Sequence, residues 1–216
     1  MKKKNIILSI LLIIISIIYT LSVKYIDVDT IGPNNSKVGL STINNYFHKL
    51  IGYHESLYKI TSILGIFLFI IVGIYALIGI IQLIKRKSLL KVDKEIIVLG
   101  VFYIVVALIY VFFEKVIINY RPVIIEGELE ASYPSTHTLL TLCIRISSII
   151  INKLKYNNFK YRKYTNILTI ILMLSILIGR ILSGVHWISD IFGGITISLT
   201  LLTIYKTILL TIQKKN

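Results

Sequence analysis

Six apolar runs of membrane-spanning length, set apart by short clusters of lysine and arginine, constrain this 216-residue chain more than any other feature. They run from Ile6 to about Val23, Lys59 to Ile84, Glu95 to Phe113, Pro134 to Ile151, Tyr164 to Leu182 and Trp187 to Leu210. Each is close to the ~20 residues a helix needs to cross the hydrocarbon core. Backbone polar groups must be satisfied internally in lipid, so such runs become helices. The fold class that follows is all-α, a polytopic membrane helical bundle with six transmembrane helices. No internal repeat or Gly/Ser-rich linker marks a boundary, so residues 1–216 read as a single domain.

The formal net charge is +14, a balance that in a soluble protein would raise nucleic acid as a partner. The placement of the charges argues for lipid instead. Basic blocks fall at Lys2-Lys3-Lys4, at Lys85-Arg86-Lys87 with Lys91 and Lys94, at Lys153 to Lys163, and at Lys214-Lys215. In a six-span chain these all lie on one side. The opposite loops hold Asp27, Asp29, Glu55, Glu126, Glu128 and Glu130. Positive loops stay in the cytoplasm, which puts both termini there and the other loops outside. The first run lacks a small-x-small cleavage pattern and reads as an uncleaved span. Lys24 to Tyr58 is polar and turn-rich. Within it, Leu40 to Leu57 has the mixed spacing of a helix lying on the membrane surface. His48 and His54 fall there and read as surface histidines. The lone cysteine, Cys143, excludes an internal disulfide.

Three polar stretches meet at the outer surface in this topology. The first is Glu114 to Pro122, the second Ser132 to His137, and the third Gly179 to Asp190. Together they supply three cations (Lys115, Arg121 and Arg180), two histidines (His137 and His186) and Asp190. Pro134 marks a helix start whose free N–H groups can receive an anion. His186 and Asp190 are four apart, so a helix from about His186 onward would set them on one face. A carboxylate there can hold the imidazole in one tautomer. Gly179 and Gly184 allow the chain to turn between spans five and six. Pro122 pushes Arg121 out of helical geometry and should end the third span's extension.

Cations with a helix N-terminus fit a phosphate group. One histidine can attack phosphorus while the other protonates the leaving oxygen. No carboxylate cluster suits Mg²⁺ and no Cys/His set suits Zn²⁺. Neither a cofactor nor a metal is expected. Taken singly, Lys115 and Arg121 read as snorkelling side chains and Pro134-Ser135 as a plain helix start. Their joint occurrence on one membrane face is what favours a site. Arg145 lies inside span four, two turns beyond His137. It either snorkels toward the cytoplasm or pairs within the bundle, and reads as a structural residue.

These stretches resemble the type 2 phosphatidic acid phosphatase superfamily of membrane lipid phosphatases. That family carries Lys-x6-Arg-Pro, Pro-Ser-Gly-His and Ser-Arg-x5-His-x3-Asp. The chain has Lys115 to Arg121-Pro122, Pro134-Ser135-Thr136-His137, and Gly179-Arg180 through His186 to Asp190. It departs in three places. Five residues, not six, separate Lys115 from Arg121, which on a continuous helix turns Lys115 by about 100°. Thr136 stands for the family glycine and Gly179 for its serine.

The resemblance implies a mechanism. His186 attacks phosphorus and becomes a phosphohistidine, Asp190 orients it, and His137 protonates the leaving group and then activates water. Lys115, Arg121, Arg180 and the backbone at Ser135-Thr136 hold the phosphoryl oxygens. The implied partners are a lipid phosphate and the bilayer. The implied place is a bacterial plasma membrane with an extracytoplasmic site. Undecaprenyl pyrophosphate, phosphatidylglycerol phosphate, diacylglycerol pyrophosphate and phosphatidic acid all fit, and the first ranks highest because its recycling is an outer-face task. The alternatives are a lipid phosphotransferase using the same histidines, or a non-catalytic lipid-binding or transport protein.

Overall fold

A computed structural model describes residues 2–156 and 160–213. Met1, Asn157 to Phe159 and the Lys214-Lys215-Asn216 end lie outside them, so the last basic block is not described. Among the described residues there are seven α-helices: α1 (Lys2–Tyr25), α2 (Ser41–Ile51), α3 (Glu55–Arg86), α4 (Lys94–Lys115), α5 (Thr136–Lys155), α6 (Arg162–Leu182) and α7 (Ile188–Gln213). All but α2 are long and apolar enough to cross a membrane. The six-helix expectation therefore holds, with most ends extended by a few residues.

Side chains explain which helices are central. The apolar stretch of α5 is the most buried, at 56% against 11–33% for the other spans, and α5 packs on α3, α4, α6 and α7. Leu139, Cys143 and Ile151 of α5 form the core with Leu201, Leu202 and Tyr205 of α7 and Leu99 and Phe102 of α4. The outer faces of α1, α3 and α4 carry exposed Ile, Leu and Phe, as lipid-facing helices do.

The short α2 lies where a surface helix was expected, but it is shorter. It stops at Ile51 because Gly52 takes φ +74°. Asn44 docks it on α7: its side-chain amide donates to Ser189 Oγ (2.9 Å) and its oxygen accepts from Ser189 N (3.1 Å). His48 is not a surface histidine. Its ring meets Trp187 edge-on at 5.3 Å, and burial lowers its pKa. His54 is exposed, with Nε2 2.9 Å from Ile51 O.

Two sequence expectations about backbone turns need correction. Gly179 is not in a turn. It lies within α6, where a Cβ would come 2.4 Å from Thr61 Cγ2, so its role is close approach of α6 to α3. Gly184 alone makes the turn, with φ +63°. A Cβ there would strike Gly52 O at 1.8 Å. The third span also ends earlier than Pro122 requires. Helix α4 stops at Lys115, and 116–131 form a small hairpin bridged at Tyr120–Ala131 and Ile125–Glu128. Lys115 and Arg121 do not share a helix, so their helical offset has no meaning.

At the far end of the bundle Asp93 ties three helices together. It accepts from Gln82 (2.8 Å) and Arg86 (2.7 Å) of α3 and pairs with Lys155 of α5 (2.6 Å). Burial would raise this carboxyl, but the hydrogen bonds from Lys155, Arg86 and Gln82 hold it at about 2.

Candidate active site

The near end of the bundle gathers the start of α5, the end of α6 and the start of α7. Helix α7 begins at Ile188, so His186 precedes it and does not sit on its face. Asp190 is at the third helical position and reaches back to the N–H of Trp187 (Oδ2, 3.0 Å). That is the carboxylate half of a capping box, favoured also by the positive end of the helix dipole. The backbone ties the two starts together, since Ser135 N–H donates to Asp190 O at 2.9 Å. Trp187 Nε1 donates to Tyr120 O (2.6 Å), which fixes the hairpin that carries Arg121 over the same end.

His186 Nδ1 and Asp190 Oδ2 are 4.0 Å apart, too far for a hydrogen bond. Ser132 stands between them. Its Oγ is 3.0 Å from His186 Nδ1 and donates to Asp190 Oδ2 at 2.5 Å. A hydroxyl has one proton to give. With that proton on the carboxylate, Ser132 Oγ accepts from His186 Nδ1–H. The tautomer is thereby assigned: Nδ1 carries the proton, and Nε2 keeps its lone pair. His186 Nε2 is buried and has no hydrogen-bond partner.

Other unpartnered atoms cluster with it. Arg180 is fully buried. Its Nη2 donates to Ser62 Oγ (3.1 Å) and its guanidinium lies 5.1 Å over the Tyr58 ring, while Nε and Nη1 have no partner. Arg121 pairs with Glu130 (3.0 Å) through Nη2 and likewise leaves Nε and Nη1 unbonded. His137 packs its ring against Gly65, where a Cβ would come 2.9 Å from Cδ2, and its Nδ1 is unpartnered. The cluster is coherent electrostatically. Burial first, then Arg121, Arg180 and His137, push His186 well below the ordinary histidine pKa. Buried donors left unpaired at several points of one cluster are costly. An anion with several acceptor oxygens would satisfy them together.

Not every sequence candidate enters this cluster. Lys115 sits exposed at the last residue of α4, and it is not among the charges that bear on His186. Ser135 is the cap preceding α5; its N–H is committed to Asp190 O, and its Oγ accepts from Thr138 (3.1 Å). The N–H groups without an in-helix acceptor begin at Thr136. Ser132, Ser62, Tyr58 and Glu130 are further members. Ser132 opens a stretch the sequence already marked, though with no role of its own, and nothing in the sequence around Ser62, Tyr58 or Glu130 singles those out. Among the described residues no three His, Cys, Asp or Glu side chains stand together as a metal site requires.

The fold is a helical membrane-type bundle with a cluster of buried, unpartnered arginine and histidine atoms at one end. The PAP2 superfamily pattern matches residues 97–214, more than half of the chain, and the chain belongs to that family of membrane lipid phosphatases. Among curated proteins, lipid phosphate phosphatase delta of Arabidopsis thaliana is 28% identical over 85 residues. That match covers 38% of this chain and 20% of the relative, so the chain spans only about a fifth of that protein's length. Among solved structures, a transmembrane PAP2-type phosphatidylglycerolphosphate phosphatase from Bacillus subtilis shares the fold. Its TM-score is 0.58 at 17% identity, covering 94% of this chain and 96% of that one.

Proposed function

We propose that the protein hydrolyses a phosphomonoester or pyrophosphate on a lipid headgroup through a phosphohistidine at His186. The observation that carries this is the convergence of unpartnered buried atoms: His186 Nε2, His137 Nδ1, and Nε and Nη1 of both Arg121 and Arg180. His186 Nε2 attacks phosphorus in line. Ser132 and Asp190 accept the positive charge that develops on the ring, Asp190 acting through the serine hydroxyl. Arg121, Arg180 and the N–H groups from Thr136 onward stabilise the phosphoryl oxygens, as fixed dipoles and cations do in a site closed to water. His137 protonates the leaving oxygen and then takes a proton from the attacking water. Glu130 must yield Arg121, in part, when phosphate arrives. Lys115 stays at the rim and Ser135 acts through its cap.

The substrate class is a membrane-presented lipid phosphate, with undecaprenyl pyrophosphate ranked before phosphatidylglycerol phosphate, diacylglycerol pyrophosphate and phosphatidic acid. The relatives' names fit this class without selecting a member. We place the protein in a bacterial plasma membrane, with the site on the extracytoplasmic face. The purified chain assayed for phosphate release from these four lipids tests the reading. Activity is expected on at least one and should survive EDTA, because cations of the chain neutralise the phosphate. Loss on chelation with recovery on Mg²⁺ would count against the metal-free mechanism. Product analysis with an added alcohol separates hydrolysis from phosphotransfer.

Orientation has its own test, set by the basic loops. Cysteines at Asn34 and Glu128 should react with an impermeant thiol reagent in intact cells, and a cysteine at Asn157 should not. Labelling at Asn157 alone would turn the site toward the cytoplasm.

A further inference from the structure

A second arginine is buried in the middle of the bundle, at the inner end of a cleft that runs into the half opposite the candidate active site. Arg145, in the middle of α5, is 4% exposed, and its Nε and Nη2 have no hydrogen-bond partner. No carboxylate of the described residues pairs with it. It lies nine residues into α5, roughly 14 Å along the axis from the helix start, so it cannot serve the His186 cluster. It lines a cleft of about 530 Å³ between α3, α5 and α6. Ser148 and Asn152 continue the floor, with Tyr75, Thr165 and Thr169 on the flanks. Tyr75 donates to Asn152 Oδ1 at 2.8 Å, which shapes the floor. The rim includes Ile74 and Leu168, which are 52% and 57% exposed on the faces the bundle turns to lipid.

We propose that this cleft binds the phosphate headgroup of an anionic lipid from the leaflet opposite the candidate active site. A guanidinium in a low-dielectric interior without a counter-charge is costly. Its planar fork matches phosphate oxygens. A rim of exposed Ile and Leu opening sideways between two helices fits acyl chains, which free phosphate lacks. The cleft runs from Arg145 past Asn152 and Tyr156 toward the end of the bundle that carries Lys85, Arg86 and Lys153, which favour anionic headgroups there.

The test uses the full chain in neutral detergent, titrated with phosphatidylglycerol and read by native mass spectrometry. The wild type should hold one more phosphatidylglycerol than Arg145→Gln, or hold it at least about tenfold more tightly. Thr169→Trp, which fills the cleft and leaves the arginine in place, should lose the same lipid and guards against misfolding of Arg145→Gln. The lipid should remain in Arg180→Gln and under excess inorganic phosphate. Equal retention by wild type, Arg145→Gln and Thr169→Trp would overturn the proposal. So would loss of the lipid in Arg180→Gln, which would move it to the His186 cluster, or its displacement by inorganic phosphate, which would make the cleft a site for free phosphate and not for a lipid.

Discussion

Replacing His186 with alanine should abolish phosphate release and any phosphoenzyme. The expected loss is on the order of 10⁶-fold, the scale seen when a nucleophile is removed from catalytic groups that act as a unit. The reason lies in the tautomer. Ser132 gives its proton to Asp190, so His186 presents a proton at Nδ1 and a lone pair at a buried, unpartnered Nε2, within the electrostatic reach of Arg121 and Arg180. Burial and the nearby cations keep that ring neutral below the usual histidine range. His137→Ala should behave differently. Transfer to His186 slows because the leaving oxygen lacks its acid, and any phosphoenzyme formed should persist because water lacks its base. Rapid-quench labelling with radioactive substrate separates the two. Substantial turnover by His186→Ala would move the nucleophile elsewhere.

Asp190→Asn should cost about 10⁴-fold in kcat, by analogy with the equivalent change in a serine-protease triad. The amide keeps the shape and can still accept from Trp187 N–H, yet it removes the charge that steadies an imidazolium. Ser132→Ala distinguishes a relayed from a direct carboxylate. Removing the hydroxyl leaves His186 Nδ1 facing Asp190 across 4.0 Å. Loss of one hydrogen bond to a charged partner should cost about 10–100-fold. Full activity in Ser132→Ala together with inactivity in Asp190→Asn would show that the pair closes directly in the working enzyme.

The spans were legible because helices that face lipid must be long and apolar, and no other reading fits Ile6 to Val23 or Lys59 to Ile84. The limits of reading by spacing appear at single residues. Four-residue spacing between His186 and Asp190 implied a shared helix face. The helix begins only at Ile188, since the carboxylate caps it, and a serine 54 positions earlier fills the gap. Gly179 and Gly184 look alike in sequence, but one serves packing against Thr61 and the other a turn. Lys115 and Arg121 were related through a helix that ends at Lys115. Each of these depends on where a helix stops, which local composition fixes poorly. Ser132 lies in a stretch the sequence singles out, but its bridging role depends, like the place of Ser62, on contacts between distant segments.

Helix α5 carries His137, Thr141, Arg145, Ser148 and Asn152 at intervals of four and three, so one polar stripe runs down nearly its whole length. Alone in a bilayer it would expose a cation and four further polar side chains to hydrocarbon, at several kcal/mol for the arginine alone. Its neighbours α3 and α6 cover that stripe. A nascent chain is therefore expected to hold α5 stably in lipid only once α6 has emerged. Insertion of α5 and its packing against α6 are then expected to be coupled, and a ribosome stalled between α5 and α6 should leave α5 extractable by alkali.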